Sequence, residues 1–167
     1  MPAPPPCSQL LTPELIAFLH SGLASALGTA SVEGVPALTR AFAIRVPPDA
    51  RTIDVFVGRA QSSTCLANLR PGVLVAAAIG NPLDYRGVQF KGTIVDCQPA
   101  EADDLPWIER SLALFEAKLV KVGVTPPGDR SFRCQEYVRV TFIPAAIFRQ
   151  SPGPGAGNPL GDGPPWA

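Results

Sequence analysis

The sequence predicts a mainly β protein of α+β type, a small antiparallel barrel with helices at its rim. Three strand-like runs follow one another in quick succession, joined by short turns, and such connections require antiparallel pairing. Six or so such runs occur in all, with helical segments set between some of them. A doubly wound parallel sheet is the rival architecture, and the strand-strand-strand opening speaks against it. The chain has 167 residues, enough to bury most of its apolar surface as one domain.

The start, PAPPP, cannot build a helix and reads as an extended arm over residues 1–8. A helix follows. Thr12 is a good N-cap, Pro13 suits the first helical position, and Glu14 favours the positive helix end. Leu15, Ile16, Leu19 and Leu23 give it one apolar face. Ala26 to Val32 is the first strand, and Glu33-Gly34 a turn. Val35 to Val46 is the second strand, closed by Pro47-Pro48-Asp49. Ile53 to Val57 is the third.

Gln61 to Leu69 is a short helix, stopped by Pro71-Gly72. Val73 to Ile79 is almost wholly apolar and reads as a buried strand. Asn81 to Asp84 is a loop. Gly87 to Cys97 alternates through Val88, Phe90, Ile94 and Val95 as a strand. Ala102 to Val122 is a longer helix, with Asp103 and Asp104 at its start and Lys118 and Lys121 at its end, as the helix dipole favours. Trp107, Ile108, Leu112, Phe115 and Leu119 share its apolar side. Thr125 to Asp129 is a loop, and Glu136 to Phe148 the last long strand. The main domain therefore spans residues 9–150. The Pro/Gly-rich tail at 151–167 has too little apolar surface for a core of its own. It is either disordered or laid along a partner surface, and Trp166 favours a docked anchor.

Composition narrows the function. Fourteen basic residues balance fourteen acidic ones, and charged residues are only 17%. No basic excess exists to replace the counterions of a nucleic acid. The longest apolar stretch is far too short to span a bilayer. MPAPPPC lacks the basic start and apolar run of a secretory signal, so the expectation is a cytoplasmic protein with reduced thiols. The four cysteines, Cys7, Cys65, Cys97 and Cys134, form no CxxC pair, and there is one histidine. No metal site is expected. Cys97 and Cys134 read as buried thiols, with a cross-strand meeting as the alternative. His20, on the first helix, lacks a nearby nucleophile and reads as structural. No phosphate-loop motif is present.

The informative polar residues lie in and beside the strands. Arg40 and Arg45 share the second strand, where a spacing of five puts them on opposite faces unless a bulge or strong twist intervenes. Arg59 follows the third strand, and Gln61-Ser62-Ser63-Thr64 opens a helix. Arginines, hydroxyls and helix N-terminal amides together can hold a phosphate; a solvated strand and plain helix capping are the alternatives. Gln89 and Lys91 alternate onto one face opposite Val88 and Phe90. That pattern equally describes the wet side of an amphipathic strand.

Three segments, ALGTAS-x-EG-x-P-x-x-TR, VFVGRAQSSTCLANLRPG and VAAAIGNPLDYRGVQFKGTI, resemble in order and spacing the pyridoxamine 5'-phosphate oxidase-like flavoproteins, the FMN-binding split barrels. QSPGPGAG at Gln150 to Gly157 resembles their tails, so the likeness runs from about Ser8 to Gly157. The resemblance implies a six-stranded split barrel with peripheral helices, working as a homodimer with FMN in two clefts at the subunit interface. A basic pair five apart matches Arg40 and Arg45, flanking Ala41, Phe42, Ala43 and Ile44 beside the flavin. The phosphate grip matches Val57, Gly58, Ser62, Ser63 and Thr64. Gln89 is the nearest match to a ring-contacting glutamine.

The chain also departs from that pattern. Ser63-Thr64 stand where the oxidase carries an Arg-Lys pair. The oxidase's glutamine aligns nearer Gly87, and its substrate-binding arginine and histidine have no match near the C-terminus. A haem-using branch of the fold supplies an axial histidine, but His20 lies in another element.

What the resemblance implies is a flavoprotein oxidoreductase of unknown small-molecule substrate; a non-enzymatic flavin or small-anion binder of the same fold is the alternative. The residues themselves add a reason for pairing. The apolar strand Val73 to Ile79 needs cover on both faces, and a second barrel would provide it.

Overall fold

A computed structural model describes residues 11–125 and 133–160. The expected N-terminal arm at 1–8, Cys7, most of the loop at 125–129 and Trp166 lie outside the described residues.

Helix α1 (Pro13–Leu19) opens the described chain, with the Thr12 side chain accepting the Leu15 N–H. Strands β1 (Ala24–Ala30), β2 (Pro36–Arg45) and β3 (Ile53–Gly58) follow. A 3-10 turn at Ala60–Ser62 leads into the short helix α2 (Ser63–Asn68). Then come β4 (Leu74–Gly80) and β5 (Gly87–Pro99). A second 3-10 turn at Ala102–Asp104 starts α3 (Leu105–Lys121), and β6 (Tyr137–Arg149) ends the sheet. The expected elements are all present. The first helix is shorter than its apolar spacing suggests, because Gly22 turns the chain with φ +72 and lies hard against Leu114 and Phe115 of α3. A side chain there would collide with that helix.

The six strands close a barrel in the order β1-β2-β3-β6-β5-β4, with antiparallel neighbours throughout. The interior is filled by Leu27, Ile44, Val55, Val57, Phe90 and Phe142, among others. Three irregularities shape the wall. One is a register shift in β2 between Ala41 and Ala43. The other two lie in β5, between Ile94 and Asp96 and between Lys91 and Gly92; a side chain on Gly92 would strike the Ile143 carbonyl and the Phe142 ring of β6.

The bulge in β2 re-aims its side chains. Ala41, Ile44 and Val46 join the interior, while Phe42 and Ala43 belong to a second cluster with Phe56, Ile108, Leu112 and Tyr137. That cluster lies outside the barrel, beneath α3. Long helix and barrel wall thus form two layers on one side. On the other side no described helix covers the outer faces of β1 and β4. Leu38 and Leu74, at 75% and 74% exposure, stand open there. The expectation that the β4 run is buried on both faces is corrected for the single chain. Val75, Ala77 and Ile79 point inward, and the alternate positions do not.

The tail returns to the barrel. The Arg149 N–H donates to the Asn158 carbonyl, the Leu160 N–H donates to the Ile147 carbonyl, and Pro159 bridges Phe148. Leu160 packs against the interior cluster. Up to Leu160, then, the tail has intramolecular partners.

The α3 layer predicts a measurable asymmetry. Leu112 is 1% exposed whereas Phe115 is only half-buried. Leu112→Ala is expected to cost about 2–5 kcal/mol in urea unfolding, and Phe115→Ala less. Equal losses would mean that α3 is packed differently.

Candidate functional site

The bulge brings Arg40 and Arg45 to the same outer side of the barrel, but into different surroundings. The Arg40 guanidinium lies 4.8 Å from the Phe42 ring centre and 5.7 Å from that of Phe115. Such stacking over aromatic faces suits a partly desolvated arginine. Burial lowers its pKa, opposed by Cys134, Tyr137 and Glu116 nearby. Arg40 thus sits at the junction of β2, α3 and the segment leading into β6.

Arg45 is held by two carboxylates. Its Nη2 and Nε donate to Asp54 Oδ2 at 2.8 and 3.0 Å, and its Nη1 pairs with Asp104 Oδ1 at 2.7 Å. Asp54 also accepts from the Thr141 hydroxyl, and Asp104 from Arg139. Both carboxylates are buried, at 5% and 3% exposure. Burial alone would lower the Arg45 pKa, but its hydrogen bonds to Asp54 and Asp104 outweigh burial and raise it. For Asp104, burial is outweighed by the Glu101 N–H and by Arg45, and its pKa falls. The group is a closed, charge-balanced network joining β2, β3 and β6 to the start of α3. Asp103-Asp104, read from sequence as a helix start, is that and more. Asp104 and Glu101 cap each other's backbone while Asp104 also holds two arginines.

The remaining phosphate-grip residues divide. Ser62 is buried, its hydroxyl 2.7 Å from that of Thr39. Ser63 and Thr64 are exposed at the start of α2. That helix has six residues, too short to lend a substantial dipole to an anion. Val57 points into the interior. Gly58 faces Cys134 and Gln61, which would collide with any side chain there. Ala41 and Ile44 face inward, and Phe42 and Ala43 pack beneath α3. Arg40, Arg45, Ser62 and Thr64 therefore do not converge on one point within a single chain. Beside Arg40 a cavity of about 430 Å³ is lined by Arg59, Gln61, Arg133, Cys134 and Glu136. Here Arg59 pairs with Glu136, and Arg133 with Glu109 and Glu116. Burial raises the Cys134 thiol, and likewise that of Cys97; the two are free, not paired.

Gln89 lies elsewhere, on the outer face of β5 at the uncovered side. It lines a cavity of about 540 Å³ with Ala26, Ala78, Tyr85 and Gln150. A second cavity, about 580 Å³, continues along the same face between Gly28, Leu38, Leu74 and Lys91. Tyr85 shares one short loop-and-strand with Arg86, Gln89 and Lys91, a grouping the sequence itself offers. Its signal is conformational: φ +58 on a bulky residue.

His20 has a structural task. Its Nε2 accepts the Val46 N–H at 3.0 Å, its ring meets Trp107 edge-on, and Trp107 donates its indole N–H to the Ile44 carbonyl. Among the described residues no group of three or more His, Cys, Asp or Glu side chains is placed to hold a metal. No helix among them is long and apolar enough to cross a membrane.

No protein-family profile matches the sequence, and no curated protein matches it. Solved structures do. An F420 reductase is 18% identical over 78% of this chain and 93% of its own, with a TM-score of 0.50. HupZ of Group A Streptococcus is 14% identical over 88% and 100%, with a TM-score of 0.51. A Lactobacillus delbrueckii protein, named provisionally as a pyridoxamine 5'-phosphate oxidase, is 15% identical over 83% and 93%, with a TM-score of 0.50. The chain has the split-barrel fold of this group. Arg40 lies at the β2 edge of the bare β1–β4 wall, opposite Ala26, and Gln89 at its β5 edge, opposite Ala78.

Two outcomes test these assignments. Arg45→Ala leaves two buried carboxylates short of a cation and is expected to cost about 3 kcal/mol; a loss under about 1 kcal/mol would show that the network is not a structural tie. Burial, then Arg110, lowers the His20 pKa. A lowered folded-state value means that the unfolded chain takes the proton first. The His20 contribution is therefore complete above about pH 6.5 and is lost as pH falls from there through the folded-state value. His20→Gln is expected to flatten the fall of the urea midpoint between pH 7 and pH 5.

Proposed function

We propose that this chain is a homodimeric FMN-binding split barrel of oxidoreductase type. The observation that carries the reading is the layout of its surface. A partly buried arginine stacked on an aromatic ring stands at the β2 edge of the bare wall, across β1 from Ala26, and Gln89 stands at the β5 edge of the same wall. Pairing two barrels across the open face would set the Gln89 wall of one protomer against the basic junction of the other, and a mononucleotide spans such a cleft with its phosphate at one end and its ring at the other.

The fit to FMN is partial, and it names the residues. Arg40, stacked on Phe42, and the exposed Ser63 and Thr64 are the groups offered to the phosphate; Arg45 and Ser62 are held by internal partners. Gln89 is the group for the ring edge. When bound, the flavin would supply the electron and hydride chemistry. The chain's own share is position, charge and exclusion of water. His20 is occupied by the Val46 N–H, so no histidine is offered as a proton donor. The F420 reductase among the structural neighbours uses a deazaflavin by its name, and titration with both cofactors separates the two.

The first test is direct. Purified protein is titrated with FMN and followed by quenching of flavin fluorescence. Arg40→Ala removes a charge-assisted contact worth about 1.5–3 kcal/mol, an affinity loss of roughly tenfold to a hundredfold. Unchanged affinity would remove Arg40 from the grip. Oxidation of NAD(P)H by the flavin-loaded protein distinguishes an enzyme from a binder.

The second test concerns assembly. An interface of obligate size buries more than about 2,000 Å², and Leu38 and Leu74 would stand within it. Sedimentation at micromolar concentration is expected to give twice the chain mass. Leu38→Asp with Leu74→Asp is expected to give a folded monomer that binds FMN poorly. A monomeric wild type that binds FMN well would sink the shared cleft.

A further inference from the structure

Two glutamates stand near the arginine offered to the phosphate. Glu109 and Glu116 lie two turns apart on α3, so they share a face. Leu112 lies between them on that face and is buried in one cluster with Phe42 and Tyr137. Phe42 is also the ring on which Arg40 stacks. Phe115, next to Glu116, has its ring centre 5.7 Å from the Arg40 guanidinium. The two carboxylates therefore flank the junction where Arg40 stands.

Such a placement works against an anion site. Among the described groups that act on the charge of Arg40 are Cys134, Tyr137 and Glu116. Burial raises the thiol and the phenol, which keeps both neutral. Glu116 is the carboxylate of the three. A carboxylate beside a guanidinium competes for it with a phosphate, and repels the phosphate as well.

Arg133 counters this. Its Nη1 pairs with Glu116 Oε1 at 3.0 Å, and its Nε with Glu109 Oε2 at 3.1 Å. One planar fork takes a carboxylate on each of its two arms. The segment that carries it is itself fixed. Cys134 donates its N–H to the Tyr137 phenol oxygen at 3.0 Å, and its thiol lies against Gly58, where a side chain would collide with it. Tyr137 in turn meets the Phe42 ring edge-on, with ring centres 5.5 Å apart. Arg133 and Arg40 are thus seated through the same ring. Arg59, the other arginine of the neighbouring cavity, pairs with Glu136.

We infer that Arg133 is a positioning residue for the phosphate grip: anchored by Glu109, it binds Glu116 and keeps that carboxylate from Arg40. The inference rests on the reading of Arg40 as a phosphate contact only for its effect on FMN. A mechanical tie between α3 and the entry to β6 is the competing account, and the two differ in one respect. A tie is lost whichever partner is removed. A guard is needed only while Glu116 carries its charge.

The test is a cycle in the full-length protein: Arg133→Gln, Glu116→Gln and the two together. It is read by FMN titration and, without FMN, by NMR of the arginine Nε–H groups, the Arg40 signal being identified by its loss in Arg40→Ala. Arg133→Gln is expected to weaken FMN about fivefold, the scale of one well-formed surface ion pair. Glu116→Gln is expected to bind as tightly as wild type or more so. The double variant is expected to regain wild-type affinity, although its tie to Glu116 is gone. A double variant as weak as Arg133→Gln would overturn the proposal and leave the mechanical tie. In the protein without FMN, Arg133→Gln is expected to slow solvent exchange of the Arg40 Nε–H as Glu116 captures it, and the double variant to restore the rate. An Arg40 signal indifferent to both changes would overturn the proposal whatever the FMN result. The expected Arg40 response in a protein that takes no FMN would support the guard while removing the flavin reading.

Discussion

One irregular residue in β2 organises this molecule. Without the register shift between Ala41 and Ala43, Arg40 and Arg45 would face opposite sides of the wall, as strict alternation demands. One of them would then enter the barrel interior, beside Phe90 and Phe142, where an unpaired guanidinium is not tolerated. With the shift, both point outward and the interior stays apolar. The same shift turns Phe42 and Ala43 out together and makes the patch that α3 covers. Arg45 then reaches Asp54 on the neighbouring strand and Asp104 at the root of α3. Helix placement, the buried ion network and the exposed basic junction all follow from one inserted residue.

Cover on one side defines bareness on the other. The described residues include a single long helix, and the Arg45 network and the Trp107 indole bond fix it to β2. β1 and β4 are left with outer faces of alanine and glycine, edged by Leu38 and Leu74. A face intended for water alone would carry charged side chains at these positions. Instead it is nearly featureless at one end and has directed polar groups at the other, where Tyr85, Gln89 and Gln150 stand. The gradation matches a surface with two tasks, protein contact and ligand contact.

How much of this was legible depends on the range of the cause. Local grammar was readable. Thr12 caps α1 as its type and position imply, and Val88, Phe90 and Ile94 turn inward as the pattern requires, whereas Val95, read with them, lies on the exposed side. Antiparallel pairing followed from the short turns, whereas the β3–β6 and β1–β4 neighbours that close the barrel did not. The β2 bulge was not legible, because Ala41-Phe42-Ala43 contains no glycine or proline to mark it; it was open only as a condition on the Arg40–Arg45 spacing. The partners of Arg45 were hidden for another reason. Asp54 and Asp104 lie in separate elements, and each had a sufficient local explanation, strand or helix start. Likewise the run Val73 to Ile79 looked buried on both faces, since alanine at inward and outward positions alike erases the period that would have revealed a bare side. The family resemblance supplied a grouping of Arg45 and Ser62 with Arg40 that the single chain does not assemble.

The tail shows how the barrel closes the edge that β6 leaves beyond Phe142. β3 pairs with β6 only as far as Phe142, so beyond that point β6 has β5 on one side and no strand on the other. An open edge there would expose unpaired backbone groups over the core near Ile147. Residues 158–160 fill it with two ladder bonds, and Pro159 fits because an edge position asks nothing of its missing N–H. The connecting loop also brings Ser151 to the Gly87 N–H and sets Gln150 at the rim of the Tyr85 cavity. A segment that seemed too poor in apolar residues to fold finds its order by backbone pairing instead. In doing so it couples closure of the barrel to the shape of the proposed ligand site, since the strand pairing that seals the edge also holds Gln150 in place.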